Sequence, residues 1–321
     1  MFKKAAAKLN AYIFIEPVYQ HAGYIVFKNN RKLFFRSERF NINEAGSIES
    51  VIDKNYCHFF LKHFGYNVPE GQAFFSTIIN DQVDDKRTID DGLKYAESLG
   101  WPVMLKPNKG SKGRFVSKVE NKSEYRQTSK RILSTTEVLL VEKYYPGDDY
   151  RVIVFKNQVF AAYKRIPFSI TGNGRKKIAT LLDEAKKKIE AVGNGKLDLY
   201  DGRIEASLRK MSLTSNDVVP KGKKIRLLQN ANVSDGGRMV DVTTKLHPKF
   251  KRLLVKMARD MNLVLCGIDI ISNDITKPAP GYVVLEINSA PALKHYASIG
   301  DHQLRRTEAL YTRIFKHLES N

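Results

Sequence analysis

Three oxygen-bearing side chains, Asp269, Glu286 and Asn288, stand inside otherwise apolar runs, CGIDIIS and VVLEINS. A carboxylate in the middle of such a run costs several kcal/mol if it is buried without a partner. Side chains two apart on a strand share a face, so Glu286 and Asn288 point the same way. If the two runs are neighbouring strands, Asp269 joins them. The result is a cluster of hard oxygen donors, suited to Mg2+ bridging phosphate groups rather than to a soft metal. On these residues alone, a strand-edge carboxylate facing water or paired with an arginine is the competing account.

Other residues could handle an anion. The apolar stretch Val103-Met104-Leu105 leads directly into Lys106-Pro107-Asn108-Lys109-Gly110-Ser111-Lys112-Gly113. Glycines let backbone N–H groups approach an anion, and a lysine at a strand end adds a point charge. The loop lacks both the GK[ST] ending of a Walker A motif and GxGxxG spacing, so a polar surface turn also explains it. Glu142 and Lys143 end a further strand-like run before YYPGDDYR, where a base could find an apolar slot with polar groups at its edge. An ordinary hairpin connection would read the same way. Lys164 and Arg165 follow VFAAY, and Arg226 lies in KIRLLQN. Fixed cations there would stabilise charge on a transferring phosphoryl group. In a chain this basic, each could equally be a surface residue.

The elements that must hold these residues follow from periodicity and punctuation. YIVF and KLFFR read as strands around the turn KNNR. Residues 49–64 read as one amphipathic helix ending at Gly65, with a turn at Val68-Pro69-Glu70-Gly71. Helices are expected over 88–99, 122–134, 175–191, 247–261 and 302–318. YRVIVF and QVFAAYKRI flank a tight turn at Lys156-Asn157, a hairpin signal. Residues 192–222 read as a polar connection, with Gly193-Asn194-Gly195 as a helix stop.

Composition sets limits. The 321 residues are 42% hydrophobic and 27% charged, enough for one large multi-lobed domain or two to three small ones. Two cysteines, Cys57 and Cys266, make no disulfide framework and no zinc motif. No apolar run reaches the length of a signal peptide or membrane span, so a cytoplasmic location is expected. The formal net charge of +20 favours anionic partners without choosing among them.

Taken together and in order, several stretches resemble the ATP-grasp superfamily, and more narrowly the ATP-grasp portion of cyanophycin synthetases and bifunctional glutathione synthetases. They are IDKNYCHFFLKHFGYNVPEG, VMLKPNKGSKGRFV, the run from LLVEKYYPGDDYR to KKIATLL, LLQNANVSDGGRMVDVTTKLHP, CGIDIIS and VVLEINSAPALKHYASIG. NANVSDGGRMVDVT and VLEINSAPAL are the most specific. The resemblance implies an α+β, ATP-grasp fold: two α+β lobes gripping ATP, with a short α/β N-terminal lead-in. The corresponding division is residues 1–87 as lead-in and pre-grasp segment, 88–180 as small lobe, and 181–321 as large lobe with the metal site.

It also implies roles. Lys54, Lys106, Gly110, Ser111 and Gly113 would hold the ATP phosphates. Glu142 and Lys143 would contact adenine, Asp149 the ribose, and Arg151 would lie nearer the phosphates. Lys164, Arg165 and Arg226 would be catalytic, stabilising phosphoryl or tetrahedral intermediates. Asp269, Glu286 and Asn288 would ligate two Mg2+, with Mn2+ as an alternative. Asn230, Asn232, Ser234, Gly236, Gly237, Ser289 and His295 would face the substrate. The implied activity is an ADP-forming carboxylate–amine ligase acting through an acyl phosphate on an amino acid or peptide, with an acidic substrate favoured by the charge. Some grasp ligases carry an arginine two positions before the first metal aspartate; here that position is Gly267, so another cation must serve. The chain shows no counterpart of the Mur-ligase-like domain of cyanophycin synthetase, so one ligation rather than two alternating ones is expected. A homo-oligomer is left open. The rivals are a basic nucleic-acid-binding protein, against which the motif set argues because inward-facing carboxylates do nothing for phosphate-backbone binding, and a non-catalytic ATP-binding module, against which the retention of all three proposed metal ligands argues.

Overall fold

The computed structural model describes residues 1–110, 113–191, 197–199, 202–228, 236–278 and 281–320. The chain begins with α1 (Phe2–Lys8), β1 (Tyr12–Ile15), β2 (Ala22–Val26), β3 (Lys32–Arg36), α2 (Ala45–Ile52) and α3 (Lys54–His63). It continues with β4 (Gly71–Phe75), α4 (Thr77–Asn80), α5 (Ile89–Leu99), β5 (Val103–Pro107), β6 (Ser117–Val119), α6 (Lys122–Leu133) and β7 (Val138–Lys143). Next come β8 (Asp148–Phe155), β9 (Gln158–Ile166), β10 (Ser169–Thr171), α7 (Ile178–Ala191), α8 (Gly202–Lys210), β11 (Lys224–Arg226) and β12 (Arg238–Asp241). The last elements are α9 (Pro248–Asp260), β13 (Leu265–Ser272), β14 (Tyr282–Asn288), α10 (Leu293–Ala297) and α11 (Asp301–Ser320). The sheets run β1-β2-β3, β4-β7-β5-β6, β10-β11 and β12-β9-β8-β13-β14.

Two compact units share the chain. One comprises Met1–Val68, Tyr150–Tyr163 and Asp241–Asn321; the other comprises Pro69–Asp149 and Lys164–Val240. The expectation drew linear boundaries at residues 87 and 180, and these two units are interleaved in sequence. The reason lies in the β8–β9 hairpin: its inner part pairs with β13, which arrives more than a hundred residues later, so contiguous sequence cannot make a contiguous lobe.

Within the first unit, Val152 and Val154 of β8, Ile268 and Ile270 of β13, and Val284 and Ile287 of β14 pack against Phe250, Leu254 and Met257 of α9. The α9 residues recur at spacings of three and four, the stripe that lets a helix cover a sheet. Within the second unit, Leu105 and Val141 lie with Ala96, Tyr125 and Ile132 of α5 and α6. α5 starts with a reciprocal cap, in which Asp91 N donates to Thr88 Oγ1 at 3.2 Å and Thr88 N to Asp91 Oδ2 at 3.1 Å.

Three local expectations change. The single helix over 49–64 is two, because Asp53 is extended at φ −83°, ψ 110° and accepts a hydrogen bond from Tyr56 N, capping α3. The connection expected over 192–222 contains α8, whose buried Ile204 and Leu208 lie four apart. The turn at residues 68–71 opens directly into β4. The glycine-flanked stop expected at 193–195 lies outside the described residues, as do Ser111, Asn230, Asn232 and Ser234. Among the described residues, no helix is long and apolar enough to cross a membrane.

Candidate active site

In the first unit, β13 and β14 pair antiparallel with Asp269 directly opposite Glu286 and Gly267 opposite Asn288. Opposed residues share a face, so Asp269, Glu286 and Asn288 stand on one side of the ladder. The register shifts immediately after Asp269, between it and Ile270. Such an irregularity re-aims side chains near a site. Asn288 Nδ2 donates to Glu286 Oε1 at 3.0 Å. His58 Nε2 lies 2.9 Å from Leu285 O, tying α3 to β14 next to Glu286.

Two cations join this cluster. Arg151, on β8 beside β13, donates through Nε to Asp269 Oδ1 at 2.5 Å and through Nη2 to Oδ2 at 2.6 Å. Its Nη2 also lies 3.8 Å from Glu286 Oε1. Burial alone would weaken the guanidinium charge, but Asp269, Tyr163 and Glu286 hold its pKa well above the ordinary value. Lys54, at the start of α3, places Nζ 3.4 Å from Glu286 Oε2. Both cations, expected near the phosphates, therefore engage the carboxylates expected to bind metal. Gly267 lies tight against Pro291: a Cβ there would sit 3.0 Å from Pro291 Cβ and at ordinary contact, 3.5 Å, from Arg151 Cδ. The cation missing two positions before Asp269 is thus matched by one from the adjacent strand.

The donor chemistry fits a hard cation. Two carboxylates and an amide present oxygen on one face, with no thiol or imidazole among these three residues. Among the described residues, no cluster of three His, Cys, Asp or Glu side chains forms a metal cage. Hard oxygen donors of this kind suit Mg2+, which fills its remaining positions with phosphate and water oxygens.

In the second unit, Lys106 of β5 and Glu142 of β7 are diagonal neighbours on one face of the sheet, with Met104 opposite Glu142 and Lys106 opposite Leu140. Lys106 Nζ and Glu142 Oε1 are 2.8 Å apart, and both side chains are buried. Lys143 points to the other face and pairs with Glu70 at 3.6 Å. Strand alternation therefore keeps the Glu142 and Lys143 side chains from sharing one slot. The loop after β5 carries Gly113 at φ +62°, which glycine adopts without strain. At the β8–β9 base, Lys164 Nζ lies 2.5 Å from Asp148 Oδ2, and Arg165 grips Asp149 Oδ1 through Nε at 2.9 Å and Nη2 at 2.6 Å. Arg226 is exposed on β11, opposite Ser169 of β10. Gly236 has φ +84° and abuts Ile189 and Phe168; Gly237 follows, just before β12.

Ser289 and His295 lie in the first unit, just beyond β14. His295 is in α10, and Ser289 O accepts from Asn43 Nδ2 at 3.2 Å. Asn43 is a residue the sequence did not single out. It also donates to Leu265 O at 2.8 Å and accepts from Val264 N at 2.8 Å and Leu265 N at 3.1 Å. One buried amide thus pins the start of β13 and the exit of β14 together. An asparagine in FNINEAG carries no local mark of this, because its partners lie over two hundred residues away.

Comparison with known proteins meets this geometry at two places. The model for the D-ala D-ala ligase C-terminus matches residues 60–173, and that for the RimK-like ATP-grasp domain matches residues 214–303. The structure superposes on a bifunctional glutathione synthetase from Pasteurella multocida with a TM-score of 0.57 and 20% identity, over 89% of this chain and 39% of that one. The chain belongs to the ATP-grasp superfamily. Among curated ATP-grasp relatives, the cyanophycin synthetase of Trichormus variabilis is 30% identical over 260 residues, covering 78% of this chain and 27% of that protein. The glutathione biosynthesis bifunctional protein GshAB of Streptococcus mutans is 28% identical over 251 residues, covering 73% of this chain and 31% of that protein. This ATP-grasp chain thus spans about a third or less of the length of these relatives.

Proposed function

We propose that this ATP-grasp chain is an ADP-forming carboxylate–amine ligase that uses Mg-ATP to join an amino acid or peptide to an amine through an acyl phosphate. The observation that carries the reading is the opposition of Asp269 and Glu286 across the β13–β14 ladder, with Asn288 beside them and Arg151 and Lys54 as counter-charges.

A substrate carboxylate oxygen attacks the γ-phosphorus of ATP, the bond to the β–γ bridging oxygen breaks, and ADP leaves. An amine nitrogen then attacks the acyl carbon; inorganic phosphate leaves and the nitrogen loses a proton. Most of the work is positioning and charge stabilisation. In the second unit, Lys106, Gly110 and Gly113, with Ser111 from outside the described residues, would hold the phosphates, Glu142 would face the base edge, and Asp149 the ribose. Lys164, Arg165 and Arg226 would offset charge on the transferring group. Lys164 and Arg165 are held at Asp148 and Asp149 until an anion competes for them. In the first unit, Asp269, Glu286 and Asn288 would hold Mg2+, two ions or Mn2+ included, which when bound neutralises the phosphate oxygens. Gly236, Gly237, Ser289 and His295, together with Asn230, Asn232 and Ser234, would face the substrate. The positive charge favours an acidic one.

The test is a phosphate- and ADP-release screen with Mg-ATP over amino acids and dipeptides, with mass spectrometry of the product. Release that depends on both a carboxylate and an amine, with a product lighter by one water than their sum, is expected. Glu286→Ala should abolish it. Near-normal turnover of Glu286→Ala at saturating Mg2+ would remove the metal role.

A further inference from the structure

The small N-terminal sheet has two faces with different fates. On the inner face, Ile25 and Phe35 are buried, and Phe2 of α1 packs on Phe35 at 5.4 Å and on Tyr311 of α11 at 4.8 Å. The outer face carries rings that this core does not use. The register puts Phe14 opposite Tyr24 and Tyr24 opposite Phe34, a row of aromatics crossing all three strands. Their centroids are 5.3 and 5.6 Å apart, and Tyr12 joins Tyr24 at 6.1 Å. These are not core residues caught at an edge: Phe34 is 72% exposed, Tyr12 58% and Phe14 40%.

The charge along β3 is positive, and the carboxylate that follows Tyr12 and Phe14 on their side of β1, Glu16, is turned into its own loop, where it accepts from Val18 N, Tyr19 N and Gln20 N. Lys32, Phe34 and Arg36 alternate along β3, so both cations flank the ring on the same side. Lys32 Nζ lies 5.1 Å from the Tyr24 ring centroid. Residues 22–40 hold Lys28, Arg31, Lys32, Arg36 and Arg39 against a single acid, Glu38. That acid is withdrawn from the surface: its carboxylate accepts from Leu293 N at 2.7 Å and Lys294 N at 3.3 Å.

We propose that this outer face is a platform for single-stranded nucleic acid, with bases on the Phe14–Tyr24–Phe34 row and phosphates on Lys32 and Arg36. Planar bases suit a flat row of rings, and stacking on aromatics tolerates any base. Cations beside the rings meet a backbone with one charge per nucleotide. A peptide adding by strand pairing would run along the edge of β1 or β3 rather than over the ring-bearing face. A second copy of this chain would bring +20 against +20. The proposal is independent of the ligase chemistry and stands or falls without it.

The experiment uses the full chain and fluorescence anisotropy with labelled oligo(U) and oligo(dT) of about 20 nucleotides, a duplex of equal length, and a salt series. Single strands should bind more tightly than the duplex, because paired bases cannot stack on the rings. The double variant Phe14→Ser/Phe34→Ser should weaken single-strand binding about tenfold or more while keeping its salt slope. Lys32→Glu/Arg36→Glu should flatten the slope, and Ile78→Ser, an exposed apolar residue of the other unit, should change nothing. Circular dichroism melts check folding; if the ring variant melts early, Phe34→Ser alone, at the most exposed ring of the row, takes its place. Equal affinity for duplex together with indifference to the ring variants would overturn the platform and leave only the net charge. Self-association by sedimentation that the ring variants abolish, without oligonucleotide binding, would assign the face to a second copy. Binding to phosphatidylserine vesicles but not to oligonucleotides would assign it to a membrane surface.

Discussion

Arg151 and Asp269 form a bidentate pair inside the first unit, with Asp269 almost wholly buried and the Arg151 side chain largely so. Removing one partner of such a pair costs more than the pair contributes, because the other charge stays buried. Arg151→Met should therefore destabilise the protein by about 3–5 kcal/mol. The readout is the thermal midpoint of the purified variant. A divalent cation supplies the missing positive charge, so Mg2+ should raise the midpoint of Arg151→Met more than that of the wild type. An unchanged midpoint, or equal Mg2+ response, would mean the carboxylates do not depend on Arg151. The residue types at this cluster were legible in the sequence, since acids within apolar runs demand partners. Which cation answers them was not. Arg151 and Asp269 are joined only by strand adjacency.

Asp241 shows how elements are held in register with one another. It ends β12 and accepts hydrogen bonds from Tyr296 Oη of α10 at 2.7 Å, Gln303 Nε2 of α11 at 2.8 Å, and Thr243 N at 2.9 Å and Oγ1 at 2.6 Å. Burial by itself would raise the pKa of this carboxylate; the bonds from Thr243, Gln303 and Tyr296 outweigh it and hold it below the ordinary 3.8. A depressed acid contributes stability above its unfolded pKa and loses it as pH falls through the folded value. Asp241→Asn should therefore melt earlier than wild type at neutral pH, and the gap should close as pH falls below the usual carboxylate range of about 4. Thermal melts across acid pH test this; a gap that stays constant would show that charge is not what the site uses. At this scale most elements were readable from hydrophobic period and caps, α5, α6, α9 and the β8–β9 hairpin among them. α8 was missed because it is short and lies in a polar, turn-rich stretch, although Ile204 and Leu208 do stand at helical spacing. The break at Asp53 was missed because amphipathic spacing continues across it, and only the cap reveals it. The aromatic row of the N-terminal sheet escaped for a related reason: Phe14, Tyr24 and Phe34 are ten residues apart and meet only through pairing.

For the whole molecule, the ATP-grasp architecture was visible from the order of its motifs, while the division of the chain was not. Linear boundaries at 87 and 180 assume that each lobe is one stretch, but the chain passes from unit to unit after Val68, Asp149, Tyr163 and Val240. A consequence follows for fragments. Residues 1–180 contain Met1–Val68 and Tyr150–Tyr163 of the first unit but lack Asp241–Asn321. That missing part supplies β13, the neighbour of β8, and α9, which covers the sheet. The fragment would leave Val152 and Val154 of β8 without their partners Ile268, Ile270 and Leu254. Unpaired strand edges and bared apolar faces favour association over folding. Residues 1–180 and 181–321 expressed separately should therefore show no cooperative melt and should aggregate on gel filtration, whereas co-expression should recover a soluble pair. A sharp, cooperative transition from 1–180 alone would mean that the first unit does not need its C-terminal strands, and that a linear division describes the protein better than the interleaved one.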